Sequence, residues 1–269
     1  MLEGLLLGKN VTYIETYTPE LLFPIPRSLA RDKIGLSSNL IFEGVDIWNG
    51  YELSWLNSKG KPEIALAEFI FPCSSLNIVE SKSFKLYLNS FNQSAFASIE
   101  SVKETLIKDL TKVIEGPVSV ELYSPSQASK NLTDFAGICL DCLDVETDTY
   151  HVQPDFLHTL PDKIEEVVYS DLLKSNCLAT GQPDWGSVLI RYYGKKIDHE
   201  GLLKYIISYR SHSGFAEHCV EQIFSDILER CQPDLLTVYA RYTRRGGLEI
   251  NPFRSNFESS PSNKRQLRQ

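Results

Sequence analysis

The chain has 269 residues, 42% of them apolar and 23% charged, with a net charge of −8. That size suits one large domain or two ordinary ones with a sizeable core. The acidic balance argues against a broad grip on nucleic acid, and no stretch approaches the ~20 apolar residues of a membrane span.

The leucine-rich start (Leu2, Leu5, Leu6, Leu7) is too short for a signal peptide and lacks a basic region, so the chain reads as cytoplasmic. Pro19, Pro24 and Pro26 make the first forty residues an extended arm rather than a helix. Tyr51 to Leu56 and Glu63 to Phe71 then alternate as strands, the second stopped by Pro72. Val102, Leu106, Leu110 and Val113 recur at helical spacing from Ile99, with Gly116 closing the helix. Val118 to Tyr123 alternates as a strand. Residues 124–165 are irregular, and the domain boundary is placed near residue 130, giving domains 1–130 and 131–269.

In the second half, Ile164 to Leu173 reads as a helix and Ser187 to Tyr193 as a strand. Gly194-Lys195-Lys196 reads as a turn. Glu200 to Arg210 and Ala216 to Cys231 read as helices, the latter ended by Pro233. Leu235 to Tyr242 is a further strand, and the polar tail from Asn256 is expected to fray. Both halves thus run strands, helices, strand, which suggests α+β domains with antiparallel sheets and helices on one face.

Four clusters could carry chemistry. Cys177 lies in a polar loop, Ser175 to Gly186, where a thiolate can act as a nucleophile. Asp184 follows across a Gly-Gln-Pro turn and could return as a general acid. A buried cysteine with a turn-forming aspartate fits the same residues. Glu80 to Asn92 packs charged, hydroxyl and aromatic groups together. Lys82 and Lys85 could meet a dinucleotide phosphate and Glu80 a purine N–H, or the stretch is a solvated helix start. Arg241 to Gly247 is either an anion site or a charged turn.

Cys139-Leu140-Asp141-Cys142 lacks further ligands at zinc-finger spacing and a thioredoxin-like context. Neither a G-x-G-x-x-G fingerprint nor a P-loop occurs. The six cysteines read as buried or reactive thiols rather than disulfides. His199 and His212 read as surface residues, and His218 as packing or surface.

Three of these stretches together resemble the QueF family, the nitrile reductases of queuosine biosynthesis. They are Glu80-Ser81-Lys82-Ser83-Phe84-Lys85-Leu86-Tyr87-Leu88-Asn89-Ser90-Phe91, Ser175-Asn176-Cys177 with Gln182-Pro183-Asp184, and Tyr242-Thr243-Arg244-Arg245-Gly246-Gly247 with Asn251-Pro252. The resemblance implies tandem tunnelling-fold domains related to GTP cyclohydrolase I. It also implies NADPH-dependent reduction of 7-cyano-7-deazaguanine (preQ0) to 7-aminomethyl-7-deazaguanine (preQ1) by way of a thioimide on Cys177.

Asp184 would then supply the proton to nitrogen. Val79, Glu80, Ser81, position 216 and Glu217 would contact substrate, and Ser81, Lys82, Arg245 and Gly246 the cofactor. A homodimer is expected, without direct nucleic-acid or membrane contact and without a metal. The family pattern Phe-His-Glu is here Phe215-Ala216-Glu217. The retained flanks favour deliberate replacement over natural variation, and the prediction is a chain that still forms the thioimide but reduces it slowly. Two other readings stand beside this one: a non-catalytic module that binds a purine-like ligand, and a zinc hydrolase like GTP cyclohydrolase.

Overall fold

The computed structural model describes residues 13–36, 40–127, 132–178 and 180–269. Its elements in chain order are β1 (Pro24–Pro26), α1 (Ser28–Arg31), β2 (Glu43–Leu56), β3 (Pro62–Pro72), β4 (Asn77–Val79), α2 (Ser81–Asn89), α3 (Ile99–Ile114), β5 (Ser119–Tyr123), β6 (Ile138–Cys139), β7 (Thr159–Asn176), β8 (Pro183–Ile197), α4 (His199–Ser208), α5 (Ala216–Cys231), β9 (Leu235–Tyr242) and β10 (Leu248–Ser255). Strands and helices are mixed and nearly all strand pairing is antiparallel, so the class is α+β.

The chain forms two compact units. The first comprises Met1–Leu29, Ile47–Lys130 and Arg244–Glu249, and the second Ala30–Asp46, Asn131–Thr243 and Ile250–Gln269. The boundary expected near residue 130 falls on residues 128–131, outside the described ones.

In the first unit the strands run β5-β3-β2, with Phe69 of β3 opposite Val120 of β5. A short β1–β4 pair sets Ile25 opposite Ile78. Alternation along β3 buries Ala65, Ala67, Phe69 and Phe71 on one face. Phe84 of α2 meets Phe69 edge to face at 4.9 Å, and Val102, Leu106, Leu110 and Ile114 of α3 are fully buried. Ser98 caps α3 in a reciprocal box with Ser101. The helix ends at Glu115, which takes the left-handed position (φ 52°) one residue before the expected Gly116.

In the second unit β10, β9, β8 and β7 run antiparallel, and β6 joins β7 in parallel. Val168, Val188, Ile190, Val238 and Ala240 of the sheet and Leu202, Ile206, Val220, Ile223 and Ile227 of α4 and α5 are all fully buried and make up the core. Two braces recur at equivalent places. Tyr87 donates to Asp109 (2.7 Å) and Tyr205 to Asp226 (2.6 Å). The tyrosines are the seventh residues of α2 and α4, and the aspartates the eleventh of α3 and α5.

Several sequence expectations give way. Residues 164–173 are strand, not helix. Ile164, Val168 and Leu172 recur every fourth residue and imitate a helical face, but Val167, Val168 and Tyr169 suit a pleated surface and pair throughout with β8. A register shift between Ser170 and Leu173 shifts the burial phase and obscures the period of two. Gly194 to Lys196 do not turn; β8 continues to Ile197. A Cβ on Gly194 would stand 2.8 Å from Pro233 Cα, so glycine is there for close backbone approach.

The N-terminal arm is not purely extended: it holds 3-10 turns at Pro19–Leu21 and Asp32–Ile34 around β1 and α1. The tail does not fray either. Gln269 is 6% exposed, accepts from Arg241 Nε (2.6 Å) and donates to Asn251 Oδ1 (2.8 Å).

Candidate active site

In the second unit, β7 and β8 form a hairpin whose end carries Cys177. Its backbone N–H donates to Gln182 O (2.8 Å), and Gly181 N–H donates back to Cys177 O (3.0 Å). This closes a tight loop and returns the chain so that Asn176 faces Pro183 and Ser175 faces Asp184. Cys177 is 6% exposed and Asp184 half-buried. Ala216 and Glu217 open α5, and Glu217 is 1% exposed. One turn further, Glu221 accepts from Arg31 (2.9 and 2.7 Å) and Arg254 (3.0 and 2.8 Å). Arg254 also reaches Asp46 at 2.7 Å. All four side chains are buried.

Cys219, two residues after Glu217 on α5, is fully buried. Burial pushes its thiol up to about 12; Ser175 and Tyr242 act against this, while the charges of Asp184 and Glu217 add to it. Both carboxylates are therefore electrostatically close to one thiol. Tyr242 is held well above its ordinary range by burial first, then by Cys219. Sequence reasoning missed this cluster. Ser175 and Tyr242 stood inside quoted motifs, but only strand register unites them.

The first unit carries the other candidates. Glu80 is fully buried and caps α2, accepting from Lys82 N–H (2.9 Å) and Ser83 N–H (2.7 Å). Burial raises its pKa despite those bonds and the charges of Lys82 and Arg245. A carboxylate has about four acceptor sites, so two remain after capping. Val79 is buried beside it, and Ser81 begins the helix.

Arg245 and Leu248 exchange backbone bonds (2.9 and 3.3 Å) around Gly246 and Gly247, both at positive φ. A Cβ on Gly246 would meet Lys85 Nζ at 3.0 Å. Arg244 lies over the Tyr51 ring at 5.0 Å. Lys82, Lys85 and the exposed Arg244 and Arg245 thus flank a glycine turn beside a helix N-terminus, with Gly246 exposed and Gly247 buried against the Glu52 carboxylate. That chemistry fits the phosphates of a dinucleotide such as NADPH.

The remaining candidates have other uses. Asp141 of the C-x-x-C stretch accepts from Asp171 N–H (2.8 Å) and the Ser170 hydroxyl. His199 is not a plain surface residue; its Nε2 lies 2.9 Å from Glu166. His212 is half-buried against Tyr209, and burial lowers its pKa. His218 packs edge-on to Phe215 at 5.5 Å. Among the described residues no set of three or more His, Cys, Asp or Glu is placed to hold a metal. A cavity of about 380 Å³ is lined by Phe135, Leu189, Arg191, Tyr239, Arg241 and Phe253 among others, and none of Cys177, Asp184 and Glu217 lines it.

Comparison with known proteins adds the class. Residues 13–122 match a family described as nitrile reductase, 7-cyano-7-deazaguanine-reductase N-term, and residues 183–261 match one described as QueF-like protein. The class is thus an oxidoreductase acting on a nitrile. The NADPH-dependent 7-cyano-7-deazaguanine reductase of Burkholderia multivorans is 55% identical over 267 residues, covering 98% of this chain and 97% of that protein. Its namesake in Paraburkholderia xenovorans is 56% identical over 271 residues, with the same coverage. That of Bordetella bronchiseptica is 54% identical over 257 residues, 95% of this chain and 94% of its own. The chain belongs to the family of NADPH-dependent 7-cyano-7-deazaguanine reductases.

Among solved structures, the archaeosine synthase QueF-Like in the apo form aligns with 37% of this chain and 97% of its own at 17% identity. Its TM-score of 0.32 is too low to carry a fold argument. Among the described residues no helix is long and apolar enough to cross a membrane.

Proposed function

We propose that this chain reduces the nitrile of 7-cyano-7-deazaguanine to the primary amine of 7-aminomethyl-7-deazaguanine, using NADPH, in queuosine biosynthesis. The observation that carries the residue assignment is the β7–β8 hairpin, which holds Cys177 at its end and Asp184 opposite Ser175. Cys177 attacks the nitrile carbon, and Asp184 delivers a proton to the nitrogen, leaving a thioimide. A neutral nitrile accepts hydride poorly, and the protonated thioimide accepts it well, so covalent catalysis divides one hard step. When bound, NADPH supplies the hydrides, two per nitrile.

By the family pattern Glu217 of the second unit accepts from the guanine-like N–H edge, and Glu80 of the first unit is an acceptor of the same kind; a base with the wrong edge would leave a buried acceptor unpaired. The family pattern also gives substrate roles to Val79 and Ser81 of the first unit and, separately, to position 216 of the second. Ser81, Lys82, Arg245 and Gly246 hold the cofactor. The homodimer, the tunnelling fold and the cytoplasmic location belong to this reading as family properties.

Ala216 offers only a methyl group where the family pattern has an imidazole. It favours one second reading, a module that binds the purine-like ligand without turnover. Mixing the chain with the nitrile and measuring intact mass decides between them. A mass increase of one substrate at Cys177, absent in Cys177→Ser, supports the reductase. No adduct, and no NADPH consumption even in Ala216→His, refutes it.

A further inference from the structure

Three polar side chains beneath Asp184 have no part in the scheme above. Ser175 stands directly opposite Asp184, and Gly186, two residues along β8, stands opposite Tyr242 of β9. Residues two apart on a strand share a face. Further along β8 that face carries Val188, Ile190 and Tyr192, all buried. Asp184, Ser175 and Tyr242 therefore point the same way, toward the helix-covered side, where Cys219 of α5 joins them. Gly186 makes room for the tyrosine, since a Cβ there would stand 3.2 Å from the Tyr242 ring.

Ser175 is 1% exposed, Tyr242 4% and Cys219 0%. The two hydroxyls and the thiol lie close enough to perturb one another. Yet neither Ser175 Oγ nor Tyr242 Oη completes a hydrogen bond of full geometry. Buried hydroxyls left so are costly and call for an explanation. Two of them under one carboxylate point to a group whose hydrogen-bonding needs change during the reaction.

We propose that Ser175 and Tyr242, backed by Cys219, are positioning residues that hold Asp184 through its proton transfer; the role rests on the nitrile-reductase reading. In thioimide formation the Cys177 S–H bond breaks and its proton passes to Asp184. The sulfur–carbon bond forms, and the proton moves on to the nitrile nitrogen, with no net oxidation or reduction. Asp184 thus begins as carboxylate, becomes acid, and returns. A carboxylate only accepts, whereas the acid also donates. A fixed N–H donor would suit the first state alone. A hydroxyl rotates, donating to the carboxylate and accepting from the acid, so it holds the side chain in both.

The test is the rate of adduct formation with the nitrile alone, read by rapid-quench intact mass across pH. Loss of a donated hydrogen bond destabilises the Asp184 carboxylate. In Tyr242→Phe the acid limb of the pH–rate profile therefore moves up by about one unit, with a roughly tenfold slower rate on that limb. Ser175→Ala moves it the same way, and Ser175→Thr, which keeps a hydroxyl, restores it. In a Cys177→Ser background, adding Tyr242→Phe leaves the affinity for the nitrile within about twofold, which mere loss of packing would not do.

An unmoved acid limb in both Tyr242→Phe and Ser175→Ala overturns the proposal, as does an equal loss of affinity and rate. Should Tyr242→Phe fail to fold, the two Ser175 variants decide alone. No adduct with the unaltered chain sinks the reductase reading and this role with it. An adduct with unmoved limbs sinks only the role.

Discussion

Replacing Glu221 by glutamine removes one charge from a set of four buried ions. Glu221 and Arg254 have fully buried side chains, as does Asp46, and that of Arg31 is 9% exposed. The carboxylate accepts two bonds from Arg31 and two from Arg254, all between 2.7 and 3.0 Å. Glutamine removes the negative charge that both buried arginines share at position 221. Arg254 keeps Asp46, while Arg31 keeps at most the one bond to position 221 that the glutamine carbonyl oxygen can accept and loses its ion pair there.

Removing one partner of a buried ion pair costs about 3–5 kcal/mol. For a chain of this size that lowers Tm by roughly 6–20 °C. Urea unfolding and thermal scans of Glu221→Gln measure it. The double variant Glu221→Met with Arg31→Met removes both charges and returns to within about 2 kcal/mol of the parent. A loss below about 1 kcal/mol in the single variant, or a double variant no better than the single, refutes the claim that these buried ion pairs hold this region together.

Gly194→Ala places a methyl group 2.8 Å from the Pro233 backbone and costs about 1–3 kcal/mol, read as a lower urea midpoint. His212 has its pKa lowered by burial, so the unfolded chain takes up its proton first as pH falls. Its contribution is intact above pH ~6.5 and is lost as pH falls through 6.5 toward the folded value. His212→Gln should therefore lose less stability than the parent between neutral pH and about 5.5. Ala216→His places an imidazole at the head of α5 and, on the proposed reading, speeds NADPH oxidation at least tenfold while changing the rate of thioimide formation less; equal effects on both would place its action before hydride transfer.

Three helices, α3, α4 and α5, and most of the longer strands could be read from the sequence because their apolar spacing is regular; α1 and α2 could not. Ala216 to Cys231 and Leu235 to Tyr242 match α5 and β9 end for end. β7 was misread because a strand carrying a register shift can show apolar residues every fourth position, and only its partner β8 settles the matter. β10 was missed: Leu248 to Ser255 mixes charged and apolar residues, yet Glu249 and Arg254 are fully buried. Arg254 is held by Glu221 and Asp46, far apart in sequence. The glycine turn and the Cys177 loop were visible as motifs. The buried group formed by Ser175, Cys219 and Tyr242 was not, because it comes from one helix and two strands, and nothing local in the chain links them.

The paired braces, Tyr87 with Asp109 and Tyr205 with Asp226, stand at the same ordinal places in their helices. The two helix pairs thus carry the same internal tie, although their sequences have little else in common. The helix starts have diverged where the braces have not. Glu80 caps α2 and Asp198 caps α4, while α3 begins under Ser98 and α5 under Phe215. Each tie joins the last turn of one helix to the helix that follows it, so each pair is held in register by one buried hydrogen bond.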